Sequence, residues 1–531
     1  MTFKMPLRLL IINSFLVLFL QGCGSGNSEP ATKEELTYTP GTYLAASNFK
    51  NQCQVVRTIT DINGNSYPDI PGSTLHENHW LRSWSNNTYL WYAELPDIDP
   101  GTYSDSIDYF NQLRTPELTN SGNFKDKYHF IWPTSDWEEY QQAGISVSYG
   151  IKWAFTSSIP RSLYIKFIEP GSPADEVSIN LTRGVKIISI DGVDVEYDSD
   201  IDTIYSGLLP NDVGESHTFV IQDVGTTQTR EVILTAAEVS ADPVPIVNVF
   251  NTNNGNVGYL MFNSHNYISE EELFDAVTQL QGSNINDLIL DLRYNGGGLL
   301  SIASRLSYMI AGSVATSGKT FELLRFNDKY PTINPVTGST ISPTPFYNET
   351  SSYSTTYGAG VALPQLNLNR IFILATGSTC SASEAVINSL RGIDVEVIII
   401  GDTTCGKPYG FYATDNCGTT YFTIQFDGVN DKGVGGYSDG FTPMNSPTGA
   451  GDLLPGCYVN EDYSEQLGAM NESLVASALQ YRVDGSCPAI TKSFMNKSLI
   501  NEQKWPGEMI LELKEQLKIY EESDTNAESN P

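Results

Sequence analysis

Two residues that can perform acyl-transfer chemistry without a histidine stand 26 positions apart, Ser381 and Lys407. The serine lies in Gly377-Ser378-Thr379-Cys380-Ser381-Ala382-Ser383-Glu384 and the lysine in Thr403-Thr404-Cys405-Gly406-Lys407. The residues between them predict a short helix over 382–391 and then a buried strand over 395–401. This puts a hydroxyl at the mouth of a helix and an amine on the loop after the next strand. Helix N-terminal N–H groups and their partial positive charge favour a developing oxyanion, and the N–H of Ala382 adjoins the attacking oxygen. The amine must be neutral to act as a base. A free lysine titrates at about 10.4, and burial can lower that by roughly 3–5 units. The apolar strand before Lys407 and Pro408-Tyr409-Gly410-Phe411-Tyr412 after it supply such surroundings. Read without chemistry, Ser381-Ala382-Ser383-Glu384 is a capping box and Lys407 a loop lysine; a cap and a nucleophile are not exclusive.

A third chemical element is Asp291-Leu292-Arg293-Tyr294-Asn295-Gly296-Gly297-Gly298, a strand end followed by three glycines. Glycines allow close backbone approach, and exposed N–H groups there can hold an anion. The bland alternative is a strand-to-helix turn. No Gly-Lys-Ser/Thr follows, so a phosphate loop is disfavoured.

The elements that must carry these residues form an α/β multidomain chain. Residues 245–490 alternate strands (257–262, 288–293, 370–375, 395–401) with helices (270–280, 300–310, 382–391), the pattern of an α/β core. Residues 143–240 alternate in strand fashion. There Glu169-Pro170-Gly171-Ser172-Pro173-Ala174-Asp175, followed by a strand ending Asp191-Gly192, resembles a PDZ domain. Such domains bind a chain terminus as an added strand. The resemblance places the substrate-binding carboxylate loop at Gly144-Ile145-Ser146-Val147, with Ser146 in place of the usual second glycine; a PDZ-shaped spacer without peptide affinity is the alternative. Residues 46–142 hold Trp80, Trp84 and Trp91 at helical spacing and a second helix over 104–113, predicting a small N-terminal helical domain. Asp61-Ile62-Asn63-Gly64-Asn65 reads as a turn, because a calcium loop would need a glutamate where Ile70 and Pro71 stand. Residues 491–531 read as a helix over 509–520 and a disordered tail.

Asp-Leu-Arg-x-Asn-x-Gly-Gly, Ser-Ala-Ser-Glu and Gly-Lys, in that order after a PDZ-like segment, resemble the carboxy-terminal processing (tail-specific) serine peptidases over roughly residues 143–425. The resemblance implies a ClpP/crotonase-like peptidase core. It implies Ser381 as nucleophile, Lys407 as general base, and the N–H groups of Ala382 and Gly297 as the oxyanion hole. It also implies protein or peptide substrates fed or gated by the PDZ-like domain, and no cofactor. Many members of that family carry a glutamine four residues after the lysine; here Phe411 stands there, and Asp415, Asn416 and Gln425 are the candidates to orient the amine.

Residues 1–22 combine Lys4 and Arg8 with the apolar run 9–20, a secretory leader too short to span a bilayer. Leu20-Gln21-Gly22-Cys23 resembles the bacterial lipobox, which implies lipidation of Cys23 and a membrane anchor in the bacterial cell envelope, outer-membrane or periplasm-facing. Residues 23–45 read as a tether. Of 531 residues, 62 are acidic and 30 basic, a net charge of −32. That charge excludes nucleic acid as a partner and favours solubility. Six cysteines remain after Cys23, allowing up to three disulfides of open connectivity, with Cys380 and Cys405 flanking the proposed dyad. Without a Cys-x-x-Cys or a histidine pair, no metal site is expected. Two other functions stay open: a catalytically inactive PDZ-containing peptide-binding envelope lipoprotein, for which Phe411 would mark lost catalysis, and a glycan-processing lipoprotein, for which no paired acidic motif speaks.

Overall fold

Apolar runs between residues 246 and 458 pair into a six-stranded sheet whose spatial order follows the chain. The strands are β1 (Ile246–Thr252), β2 (Gly255–Met261), β3 (Asp287–Asp291), β4 (Arg370–Ala375), β5 (Glu396–Gly401) and β6 (Gly456–Tyr458). β1 is antiparallel to β2, and β2 through β6 are parallel. The computed structural model describes residues 36–119, 121–143, 145–156, 159–447, 449 and 451–489. The expected leader, Cys23, Gly144, the helix over 509–520 and the tail lie outside them.

Parallel strands need both faces covered, which is why these strands read as unbroken apolar runs rather than alternating ones. Leu288, Leu290, Ile371, Ile373, Val397 and Ile399 face one layer, with α1 (Ser269–Gly282), α2 (Leu300–Thr316) and α3 (Ala382–Gly392). Ile289, Phe372, Leu374, Ile398 and Ile400 face the other, with α4 (Ser473–Asp484). Met261, Asp291, Leu374, Ile400 and Cys457 lie in one row across the sheet, so the carboxyl ends of the parallel strands are level. The loops after β3, β4 and β5 therefore open on the same edge, where ligands of open parallel sheets bind. Among the described residues, no helix is long and apolar enough to cross a membrane.

Residues 151–235 form a separate sheet of Ile151–Thr156, Ser162–Ile168, Lys186–Ile190, Val193–Asp194, Ser216–Gln222 and Thr229–Thr235 around its own core, with a helix at Ile201–Leu208. The amino-terminal segment, expected as a small helical domain, packs on the main core. Its main helix, Thr74–Thr88, is present, and Trp80 stacks on Trp84 at 5.1 Å, but both rings pack on Tyr421. Phe130–Pro133 pairs antiparallel with Thr419–Phe422, and Tyr89, Tyr128, Phe130 and Trp137 belong to the main core. The second helix shrinks to Ser106–Phe110. An aromatic face this wide finds its cover on a strand some 300 residues away, which periodicity cannot show.

Three disulfides are present: Cys53–Cys417, Cys380–Cys405 and Cys457–Cys487. Non-reducing peptide mapping by mass spectrometry is expected to return these three linked pairs. A fragment joining Cys380 to any cysteine other than Cys405 would contradict the placement of the two loops.

Candidate active site

The turn after β4 delivers Ser381 to the first turn of α3. Its backbone sits at φ 49°, ψ −108°, a conformation that side-chain-bearing residues seldom adopt and that is held only where surroundings over-determine it. Several bonds supply that hold. Cys380 N–H and Ser383 Oγ both donate to Asn295 O, at 3.1 and 3.0 Å, tying this turn to the loop after β3. Glu384, one helical turn on, accepts from Ser381 N–H at 3.0 Å.

The same carboxylate holds the lysine loop. Glu384 Oε2 accepts from Lys407 N–H at 2.8 Å, while Oε1 accepts from Gly406 N–H at 2.9 Å and Thr404 Oγ1 at 2.5 Å. One carboxylate oxygen thus receives the backbone N–H groups of both Ser381 and Lys407. The Cys380–Cys405 disulfide ties the same two turns covalently. Burial pushes the Glu384 carboxyl above its ordinary range, against these hydrogen bonds, which favour the ionised form. Glu384→Ala would leave three backbone N–H groups and a hydroxyl without their acceptor. Stability is expected to fall by roughly 4 kcal/mol or more, since each of the four orphaned buried groups costs about 1–3 kcal/mol. Hydrolysis is expected to fall roughly a hundredfold or more, because reacting groups displaced by about 1 Å lose that much. Thermal denaturation and peptide turnover check both.

Lys407 is 1% exposed. Its Nζ lies 4.4 Å from the centre of the Phe411 ring and 4.7 Å from that of Tyr128. Desolvation lowers its pKa to about 7, against the charges of Asp126 and Glu384, which act in the opposite direction. Tyr128 comes from the amino-terminal segment, and its one hydroxyl proton lies between Gly406 O (3.0 Å) and Cys405 O (3.2 Å). It both covers the amine and pins the loop. Sequence reasoning missed Tyr128 and saw Glu384 only as a cap. The capping-box spacing was a signal for the latter; nothing in the sequence joins residue 128 to residue 407.

Ser381 and Lys407 line one small pocket with Gly298, Ala385, Tyr409 and Tyr437. Among the described residues no hydrogen bond joins Ser381 Oγ to Lys407 Nζ. Substrate-free catalytic bonds are often long and tighten only when substrate binds. Of the glycine loop, Gly298 faces the pocket at φ 133°, where a Cβ would collide with His265 O. The Gly297 N–H, expected to serve the oxyanion, is directed to Asn295 Oδ1 at 2.9 Å. The loop is anchored from behind. Arg293 is fully buried between Asp291 and Glu472, and Tyr294 Oη donates to Glu461 Oε1 at 2.5 Å while accepting from Arg183, in a loop between two strands of the 151–235 sheet.

None of the three residues expected to orient the amine reaches it. Asp415 pairs with Arg57 and Thr134, Asn416 Oδ1 accepts from Asn51 N–H, and Gln425 bonds Tyr412 N–H and Thr88 Oγ1. The aromatic rings stand in their place. The expected carboxylate loop also moves. Ile145–Ser148 is a strand whose backbone pairs with Ala237–Ser240, so Ile145, Ser146 and Val147 form no loop. The turn before the outermost strand of the 151–235 sheet is instead Tyr149-Gly150, with Gly150 at φ 79°. Cys380, Glu384 and Cys405 form the one metal-ligand-type cluster among the described residues. The two sulfurs are bonded to each other and the carboxylate is filled by donors, so it offers an ion no free ligand.

Residues 256–411, which span both Ser381 and Lys407, match the model of Peptidase family S41, and residues 76–128 match that of the Peptidase S41 N-terminal domain. The segment that carries both residues is thus similar to peptidase family S41. A carboxyl-terminal-processing peptidase 2, chloroplastic, of Arabidopsis thaliana is 29% identical over 161 residues, 29% of this chain. The match spans 30% of that relative's length. Among solved structures, a putative S41 protease from Bacteroides fragilis is similar at a TM-score of 0.58 and 22% identity, covering 80% of this chain and 99% of that one. The photosystem II D1 C-terminal processing protease is similar at a TM-score of 0.43 and 17% identity, covering 77% and 99%. The S41 N-terminal match ends at Tyr128, the residue that closes over Lys407.

Proposed function

We propose that the chain is an exported serine endopeptidase that hydrolyses peptide bonds in proteins, near their carboxy termini, with Ser381 and Lys407 as its dyad. The observation that carries this reading is the shared acceptor. Glu384 Oε2 fixes the backbone of both residues beside one pocket, and the amine so placed titrates near 7 rather than 10.5. Neutral Lys407 takes the proton from Ser381 Oγ as the oxygen attacks the scissile carbonyl. The oxyanion accepts from the N–H groups of Ala382 and Gly298, since that of Gly297 is taken by Asn295 Oδ1. The protonated amine then gives its proton to the departing nitrogen, and water, deprotonated by the same amine, releases the acyl group. The match to the S41 family model supports a peptidase; the dyad rests on the geometry and on the resemblance, and the preference for chain ends on the resemblance. Lipidation at Cys23 would tether the enzyme in the bacterial envelope within reach of protein substrates.

Purified protein is expected to convert unstructured casein into peptides with new amino termini near and above neutral pH. Intact casein after prolonged incubation would favour the peptide-binding lipoprotein instead.

A further inference from the structure

The Gly297-Gly298 turn has no side chains of its own to hold it. Both glycines sit at positive φ, 107° and 133°, in backbone regions that glycine enters and leaves freely. Among the described residues Gly298 N–H has no acceptor, which leaves it for the pocket that Gly298 lines. The turn is held from the loop after β2. His265 N–H donates to Gly297 O at 3.0 Å, and His265 O accepts from Leu299 N–H at 2.7 Å, so His265 lies beside Gly298 as in a parallel ladder. Those two bonds are backbone, and any residue could make them. The third is particular to histidine. His265 Nδ1 lies 3.1 Å from Asn295 Oδ1, the atom that also accepts from Gly297 N–H.

The neighbours decide where the ring carries its proton. Asn295 Nδ2 donates to Phe262 O at 2.9 Å, which leaves Oδ1 as the acceptor facing the ring and the turn. The nitrogen opposite it is therefore Nδ1–H. His265 is 1% exposed, and burial lowers its pKa to about 3, against its contacts with Asn295 and the Gly297 backbone. The ring is thus neutral at working pH and has that one proton only. Its Nε2 is a buried acceptor without a partner among the described residues, which costs stability. A phenylalanine could keep the packing on Phe262, whose ring centre is 4.5 Å away, without that cost. What the imidazole adds is its bond to Asn295.

We infer that His265 is a positioning residue for the oxyanion hole, holding the Gly297-Gly298 turn through Asn295 Oδ1 so that Gly298 N–H is presented to the pocket. The inference rests on the reading that Ser381 is the nucleophile, since that makes Gly298 N–H an oxyanion donor. Such a donor acts on the transition state rather than on bound substrate, so displacing it lowers kcat and spares KM. Outright loss of one donor costs about 10²–10³ in kcat, and displacement costs less.

The test compares full-length protein with three variants on one fluorogenic peptide. His265→Phe keeps a ring and removes the proton. His265→Asn places an amide N–H at the same remove from Cβ as Nδ1, and His265→Gln carries its amide one carbon further out. In the Phe and Gln variants kcat is expected to fall about tenfold or more with KM changed by less than about threefold, and the Asn variant to regain most of that loss. A peptide boronic acid reads the same site whatever the fraction of folded enzyme. Ser381 Oγ bonds to boron and passes its proton to Lys407, leaving a boron-bound oxygen in the oxyanion position. Its inhibition constant is expected to rise as kcat falls. His265→Phe as active as the parent, an inhibition constant that does not move, or an Asn variant weaker than Phe, the order that ring packing alone would give, would each overturn the inference and leave the dyad standing. A parent protein that hydrolyses nothing would overturn both readings. Should His265→Phe fail to fold, the Gln and Asn variants decide.

Discussion

Ser381→Ala is expected to reduce peptide hydrolysis roughly ten-thousand-fold or more, to the level left by binding and oxyanion contacts alone. The same change should move the melting temperature by no more than about 3 °C. The alanine inherits the unusual backbone of position 381, and Glu384 still accepts its N–H, so the framework around α3 survives. What is lost is one hydroxyl, worth about 0.5–2 kcal/mol even if it served wholly as a helix cap. A purely structural serine would show the reverse, a clear drop in stability with turnover retained. Circular dichroism melts and a fluorogenic peptide assay on the same preparation separate the two.

Lys407→Met is expected to be as inactive as Ser381→Ala, and the double variant no worse than either, because parts of one catalytic unit do not add. Its stability should move in the opposite direction. Lys407 has a folded pKa near 7 against 10.5 ordinarily, because burial disfavours its charge. Between those values the unfolded chain binds a proton that the folded one does not, so stability rises with pH across that window. Below pH 7 the full penalty is present; above about 10.5 it is gone. Methionine fills the same channel without a charge. The variant should therefore be more stable than the parent at pH 7 by up to roughly 4 kcal/mol, since one pKa unit is worth about 1.4 kcal/mol. The gain should vanish by pH 10.5. Denaturant midpoints measured across that range give the curve, and a variant less stable than the parent at neutral pH would mean the amine is already paired. Gaining stability while losing activity is the trade expected of a group kept in an unfavourable site for its chemistry.

Much of the frame was legible because parallel strands buried on both faces leave long apolar runs. The strands over 288–293, 370–375 and 395–401 and the helix over 382–391 lie within a few residues of β3, β4, β5 and α3. Ser381 and Lys407 were visible for a related reason. Each follows such a strand, and a level sheet edge brings successive loops together. Contacts between distant segments were invisible. Tyr128 reaches Lys407, and Trp80 reaches Tyr421, through packing that no local period encodes. The second role of Glu384 was half-visible, since its spacing from Ser381 announces a cap but not the three further donors from residues 404–407. Phe411 was seen as a missing glutamine. In three dimensions its ring is a wall that keeps water from the amine, a role that Asp415, Asn416 and Gln425, each bonded elsewhere, do not share. Residues 145–147, expected in a carboxylate loop, lie in a strand because their backbone pairs with Ala237–Ser240, a long-range pairing no local pattern encodes.

The most direct measurement is the pH dependence of acylation at residue 381. A small fluorophosphonate, used in a single turnover with its site located by tandem mass spectrometry, reports the nucleophile and its base together. Labelling should fall on Ser381, rise with pH as one proton is lost near pH 7, level off above it, and disappear in Lys407→Met. Labelling that climbs without a plateau to pH 10, or that survives the loss of the lysine, would contradict a neutral buried amine as the base.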